Sequence, residues 1–262
     1  MNLAVSNIAW DEKNDDNVYR LMKEYGFTGL EIAPTRIFPV NPYENMEGAR
    51  TWKEQIQRVY GFVIPSMQSI WYGRQEKIFG KQEERDRLLA YTKQAIDFAS
   101  EIVCSNLVFG CPQNRTVQEG GNTKAAIPFF QEMAEYAKQK GCVIGFEANP
   151  EIYHTNYMND TESVLRLIGK IKSDGFLLNL DVGTMIENNE DIGMLEGKVS
   201  LIHHVHISEP NLKTIQKREL HKELADLLKR ENYQGFVSME MGREGALNVI
   251  QKAMSYIREV FG

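Results

Sequence analysis

The sequence predicts a single (β/α)8 barrel, and three observations carry that expectation. Its 262 residues match the roughly 250 of one closed barrel. Eight short apolar runs alternate with longer segments of helical period, which favours a parallel sheet with helices on its outer face. Four chemistry-bearing side chains end the last four runs: Glu147 in VIGFEANP, Asp181 in FLLNLDVGT, His206 in LIHHVHISEP and Glu240 in GFVSMEMG. Their separations of 34, 25 and 34 residues (147 to 181, 181 to 206, 206 to 240) are those of a repeating strand–loop–helix–loop unit of about 30 residues.

Taken in order, the strand candidates are LAVSNI (3–8), TGLEIA (28–33), GFVIPSMQ (61–68), SNLVFG (105–110), CVIGFEA (142–148), FLLNLDV (176–182), LIHHVHI (201–207) and FVSMEM (236–241). Between them, DNVYRLMKEYG (16–26) sets Val18, Leu21, Met22 and Tyr25 on one helical face and stops at Gly26. Residues 82–101, 122–140, 160–171, 217–230 and 244–260 read the same way. Asp160 or Thr161 is the expected N-cap of the fourth of these six helices, with Glu162 in its first turn. Two longer inserts, 34–50 and 69–82, are expected to lie over the rim as lids or substrate walls. No linker or low-complexity segment divides the chain, so one domain spanning residues 1–262 is expected.

Composition narrows the function. A net charge of −6 argues against wide nucleic-acid contact, which needs a basic surface. No apolar run approaches the ~18 residues of a membrane span, and MNLAVSNIAWDEKND carries no basic leader. Cys104, Cys111 and Cys142 are odd in number and lack CxxC spacing; Cys104 and Cys142 lie beside apolar runs and are expected as small buried thiols, and a cytoplasmic location is expected.

Strand alternation puts Gly145 with Glu147, Asn179 with Asp181, His204 with His206 and Ser238 with Glu240 on shared faces. The intervening Phe146, Leu180, Val205 and Met239 are apolar, as a helix-packed face requires. Four polar groups are then aimed at one mouth. Three carboxylates within ~4–6 Å raise one another's pKa, and a divalent cation removes the repulsion. Mn²⁺ suits three carboxylates and an imidazole best, with Mg²⁺, Co²⁺ and Zn²⁺ left open. Such an ion beside a carbonyl acidifies the adjoining C–H by stabilising the negative charge on oxygen.

GFEANP, LNLDVGT, HVHISE and GFVSMEM, with TGLEIAP and NLVFGCPQNR in support, resemble the xylose-isomerase-like barrel superfamily, and most closely its sugar isomerase and ketose 3-epimerase branch. The resemblance implies that Glu147, Asp181, His206 and Glu240 hold one divalent metal and that Glu147 and Glu240 also move the proton. Proton return from the opposite face gives epimerisation, return to the neighbouring carbon gives isomerisation, and loss of a β-hydroxyl gives dehydration. The ketose 3-epimerase pattern is broken twice. VGTMIENNED after Asp181 has no histidine, and Leu212 stands where that pattern has arginine, although Glu209 matches. The three-metal DNA-repair branch needs early histidines, and this chain has none before His154.

The expected substrate contacts are Asn7, Trp10, Gln68 and Trp71 after the first and third strands, Glu31 after the second, Arg115 after the fourth, Glu209 and His221. Amides pair with sugar hydroxyls and aromatic faces stack on sugar C–H faces, while a guanidinium at the rim grips phosphate or carboxylate. Each has a structural alternative: core or lid packing for the tryptophans, a surface ion pair for Arg115, helix capping for His221. His204 reads as a packed interior histidine, His203 as facing the helices, His154 as a rim-loop residue. Asn149 and Asn179 are placed to orient neighbouring carboxylates. GREGAL (242–247) lacks the lysine and serine of a phosphate loop but could offer helix N–H groups to an anion.

The leading expectation is therefore a metal-dependent sugar or sugar-phosphate isomerase/epimerase. The alternatives are a lyase of the inosose-dehydratase type and a non-catalytic sugar-binding barrel. Members of the superfamily are commonly dimers or tetramers, which leaves a homo-oligomer open.

Overall fold

A computed structural model describes residues 1–119 and 123–262. Asn122, the first residue of the third expected helix, lies outside the described residues. Eight parallel strands form the barrel wall: β1 (Asn2–Ser6), β2 (Gly29–Glu31), β3 (Ser66–Met67), β4 (Asn106–Phe109), β5 (Val143–Glu147), β6 (Phe176–Asp181), β7 (Ile202–Ile207) and β8 (Phe236–Met239). Their order is β2-β1-β8-β7-β6-β5-β4-β3. The two ends meet through Gly29–Val63 and Ile32–Met67 bridges, with Leu30 N donating to Val63 O at 2.9 Å and Gln68 N to Ile32 O at 2.8 Å. All eight expected strands are present. β3 is the shortest because Pro65 has no N–H to donate to a ladder.

The helices are α1 (Asp15–Glu24), α2 (Pro34–Ile37), α3 (Met46–Tyr60), α4 (Gln82–Glu101), α5 (Ala126–Gln139), α6 (Thr161–Ile171), α7 (Val182–Asn188), α8 (Glu219–Arg230) and α9 (Leu247–Phe261). Six match the expected segments. The 34–50 insert is a correction: it holds α2 and the start of α3, so the β2–β3 crossover is helical and not a lid. α3 buries only Ala49 and Ile56, and so narrow an apolar stripe among charges gives little periodic signal. The short step from Asp181 to His206 is explained by α7, only seven residues long. Asp160, not Thr161, caps α6, its Oδ1 accepting from Ser163 N at 2.7 Å.

Outward-facing strand residues meet the helices in an aromatic layer. Phe146 is fully buried and its ring centre lies 5.1 Å from Phe109, 5.2 Å from Phe130 and 5.4 Å from Phe176. Burying each such side chain stabilises the fold by roughly 1.5–3 kcal/mol. Inside the barrel the filling is polar. A Cβ on Gly145 would meet Asn106 Oδ1 at 2.4 Å. The bare glycine leaves room for Asn106 to bond Ser66 Oγ on neighbouring β3 at 2.9 Å and Asn179 Oδ1 on β6 at 3.4 Å.

His203 is a second correction. The β6–β7 register shifts, Leu178 pairing with Ile202 and Asn179 with His204, so His203 is an extra, bulged residue. Its ring turns inward, with Nδ1 3.1 Å from Asn106 Oδ1. Burial, then its neighbour His204, lowers its pKa to about 4.

Candidate functional site

The carboxyl ends of β5–β8 bring the four strand-end residues together. Glu147 ends β5, Asp181 ends β6 and caps α7, His206 lies next to last in β7, and Glu240 follows β8. Ladder pairing sets Glu147 beside Asn179, and Asp181 beside His206. Ligand atoms of Glu147, Asp181 and His206 all fall within 4.8 Å of one another. His206 Nδ1 is 3.1 Å from Glu147 Oε2 and 3.2 Å from Glu240 Oε2. The three acids line an open cleft of about 190 Å³.

Each carboxylate is held differently. Glu147 accepts from Asn149 Nδ2 on Oε1 and from Asn179 Nδ2 on Oε2, both at 2.9 Å. Asp181 Oδ1 accepts from Thr184 N at 2.6 Å and Thr184 Oγ1 at 2.8 Å, while Oδ2 accepts from Ser208. The carboxylate of Glu240 meets only His206 among the described residues. Gly110 leaves room for this arrangement, since a Cβ there would stand 3.0 Å from Glu147 Oε1.

The electrostatics follow from burial and like charge. Burial, then Glu147 and Glu240, pushes Asp181 up to about 7. Burial, with Glu147 and Glu31 adding to it, raises Glu240 against the opposing pull of His206. Burial works against protonation of His206, but Glu240 and Glu31 win and hold its pKa well above the usual imidazole range. Burial thus disfavours the charged forms of Asp181 and Glu240, and one imidazole nitrogen lies among the acids. Three oxygen donors and one nitrogen are a donor set for a hard-to-borderline divalent cation, so these residues fit such an ion.

Glu31 sits beneath this group and not at its surface. It is fully buried; Oε1 accepts from Gln68 Nε2 at 2.9 Å and Oε2 lies 3.0 Å from His206 Nε2. Burial would raise its pKa, yet His206 and His204 hold it well below the usual carboxylate range. His204 Nε2 is 2.9 Å from the same oxygen but off the line of a hydrogen bond. Glu31, His204 and His206 make a second close set of metal-ligating atoms. Glu31 and His204 are buried away from the cleft, and the geometry is that of a carboxylate orienting a ligand histidine. His206 Nε2–H then points at Glu31, which leaves Nδ1 for the cleft.

Among the other residues expected to touch substrate, Gln68 lines the cleft. The structure does not bring the rest to its surface. Asn7 is buried and its Oδ1 holds Ala33 N at 2.8 Å. Trp10 and Trp71 are core residues, donating through Nε1 to Asp15 at 2.6 Å and Thr92 Oγ1 at 2.8 Å, because large aromatics gain most from full burial. Arg115 is fully buried and, among the described residues, forms no ion pair. It lies over Phe146 and donates to Glu147 O at 2.8 Å, and burial lowers its pKa to about 10. Glu209 is taken by Arg218, with Oε1 accepting from Nε at 2.8 Å. His221 is buried between α8 and α9, 3.0 Å from Tyr256 Oη, with its pKa lowered by burial to about 4. In the 242–247 segment, N–H groups of Gly242, Glu244 and Ala246 already have protein acceptors, which counts against an anion site there.

Leu212, which replaces the arginine of the ketose 3-epimerase pattern, lines the cleft, as do Tyr153 and Ser208, neither of which had been singled out from sequence. Ser208 was legible, since it continues the 204–206–208 alternation. Tyr153 was not, because a loop residue carries no period. A larger cavity of about 530 Å³ opens at the opposite mouth, beside His203, Asn106 and Tyr233. It lies at the amino ends of the strands and lacks converging carboxylates.

Among the described residues, no helix is long and apolar enough to cross a membrane. The family model described as "Xylose isomerase-like TIM barrel" matches residues 19–260. No curated protein matches the sequence significantly. Among solved structures, 3-keto-D-glucoside 4-epimerase from E. coli has 20% identity and a TM-score of 0.79, with 99% of each chain covered. D-psicose 3-epimerase from Clostridium cellulolyticum H10, with D-tagatose, has 16% identity and a TM-score of 0.80, with 100% of this chain and 99% of that one covered. A probable 3-DHS dehydratase from Bacillus anthracis has 15% identity and a TM-score of 0.71, with 97% of each covered. At these identities the likeness is one of fold.

Proposed function

The chain belongs to the xylose isomerase-like TIM barrel family, and from that premise we propose that it is a divalent-metal-dependent isomerase or epimerase of a sugar or sugar phosphate. One observation carries the reading: Glu147, Asp181, His206 and Glu240 converge at one open cleft at the carboxyl ends of the strands. The epimerases of similar fold support it.

Glu147 Oε2, Asp181, His206 Nδ1 and Glu240 would hold the cation, Mn²⁺ being the best match to this donor set and Mg²⁺, Co²⁺ or Zn²⁺ also suited. When bound, the cation supplies Lewis acidity that stabilises charge on a substrate carbonyl oxygen and acidifies the adjoining C–H. Glu240, with no hydrogen-bond donor other than His206 among the described residues, takes that proton. Glu147, oriented by Asn149 and Asn179, stands on the other strand end to return one. Return to the opposite face of the same carbon epimerises the substrate, whereas return to the next carbon isomerises it. Gln68, whose Nε2 is taken by Ser6 and Glu31, offers its Oε1 to a hydroxyl. Leu212 in the cleft wall replaces the arginine of the ketose 3-epimerase pattern, so a free ketohexose fits less well than another carbonyl-bearing sugar.

The test is metal analysis of the purified protein followed by deuterium exchange over a panel of ketoses, their phosphates and inosose with Mn²⁺. Metal-dependent exchange at a carbon beside a carbonyl, with an epimer or isomer as product, is expected. An ultraviolet-absorbing enone identifies a dehydratase, the reading favoured by the third structure of similar fold. Metal-dependent sugar binding without exchange identifies a binding barrel.

A further inference from the structure

A second cavity, about 310 Å³ against about 190 Å³ for the cleft over the carboxylates, shares Ser69, Cys111 and Pro112 with that cleft. Most of the combined groove therefore lies beyond the acids. Ser69 and Cys111, at the junction, both have left-handed backbone, with φ of 56° and 46°. Neither is glycine, and strain of this kind persists where packing imposes it, commonly beside ligands.

The outer cavity is prebuilt. Asn114 Nδ2 donates to Arg74 O at 3.0 Å and Glu76 O at 2.9 Å, and Asn114 O accepts from Ile78 N at 2.9 Å. Lys77 Nζ donates to Gln113 O at 2.7 Å. These bonds brace the loop after β3 against the segment after β4. Tyr72 lines the cavity and is 71% exposed, although the adjoining Trp71 is packed in the core. Gln75 and Gln113 also line it, and among the described residues neither side-chain amide has a protein partner. The one guanidinium present, Arg74, is committed to Glu76 and to the face of Tyr91, so the cavity is poor for phosphate. An exposed ring with two free amides suits a neutral, hydroxyl-rich group.

We propose that this cavity is a subsite for a second sugar unit, glycosidically joined to the unit over the carboxylates, so that the substrate is a keto-glycoside and not a free monosaccharide. The proposal rests on the sugar-isomerase reading and names its substrate class.

The test is calorimetric titration of the Mn²⁺-loaded protein with the methyl glycosides of D-glucose, maltose and cellobiose, which lack a free carbonyl and so report binding alone. Wild type is expected to bind one disaccharide glycoside about tenfold more tightly than methyl glucoside. Tyr72→Ala, at an exposed position, is expected to erase that gain and leave methyl glucoside binding unchanged. Methyl glucoside binding with no gain for either disaccharide, or a gain that survives Tyr72→Ala, overturns the subsite alone. No binding of any of the three overturns the subsite and counts against the sugar reading. Failure of the catalytic reading appears elsewhere, as absent deuterium exchange.

Discussion

Glu240 and Glu31 are both buried glutamates facing His206, and their roles separate at the level of single atoms. Glu240 borders the cleft and, among the described residues, has no other donor. Removing its basicity with Glu240→Gln is expected to lower turnover by roughly 10²–10⁴-fold, the usual worth of a general base, with the circular dichroism spectrum unchanged. Deuterium exchange within about tenfold of wild type would contradict the base assignment. Glu31 has no route to substrate, because its carboxylate is enclosed by Gln68 and His206. Its effect passes through the tautomer of His206. Glu31→Gln can offer an N–H where the imidazole needs an acceptor, and metal affinity is expected to fall about 10–100-fold. Competition against a chelator measures it, and an unchanged metal Kd would show that Glu31 does not orient the histidine.

At the scale of elements, each acid is placed by the strand that ends beneath it, and that strand is fixed by its outward neighbour. Phe146 precedes Glu147 and anchors β5 among Phe109, Phe130 and Phe176. Arg115 covers its ring and bonds the Glu147 carbonyl. Phe146→Ala is expected to cost about 3–5 kcal/mol, read as a lowered urea midpoint with the same slope. A loss under about 1 kcal/mol would mean that this aromatic layer does not hold the strand. The extra residue in β7 acts in the same way: by absorbing one position at His203 it turns that ring inward while His204 and His206 keep their alternation.

For the whole molecule, the acid cluster ties stability to pH and to metal. In the metal-free protein Asp181 sits at about 7 against an ordinary 3.8, so the folded state binds that proton more tightly than the unfolded chain does. Its contribution is fully present below about 4 and is lost as pH rises toward about 7. The raised His206 acts with the same sign, since its extra stability is lost as pH rises through its folded pKa. Glu31, held low, has the opposite sign, and its contribution is lost only in acid. Metal-free protein is thus expected to lose Tm from these two groups on going from pH 5 to pH 8. Mn²⁺ is expected to restore it, by about 2.7 kcal/mol at a hundredfold excess over Kd. Thermal unfolding in chelator and in Mn²⁺ across that range checks both. A Tm insensitive to the cation at pH 8 would mean that the four side chains share no ion.

The eight strands, the barrel and the facing of Glu147, Asp181, His206 and Glu240 were legible in the sequence because they depend on period and spacing, which are local. Strand alternation decides which side chain points inward except where a bulge intervenes, as at His203, and the crossover length decides where the next strand ends. Only the tertiary structure decided which polar residues near the rim reach the cleft. Glu31, Arg115, Glu209 and His221 stand at plausible positions along the chain. Three are withdrawn by a partner distant in sequence, as Glu31 is by His206 or His221 by Tyr256, and Glu209 is withdrawn by Arg218 in the same loop. Trp10 and Trp71 are withdrawn by the free energy of full burial. The same holds for the outer cavity, whose walls come from two loops braced across the barrel rim by Asn114. A sequence records which groups the chain carries. Which of them remain unpaired at a surface depends on contacts among residues far apart in the chain, and those exist only once it has closed.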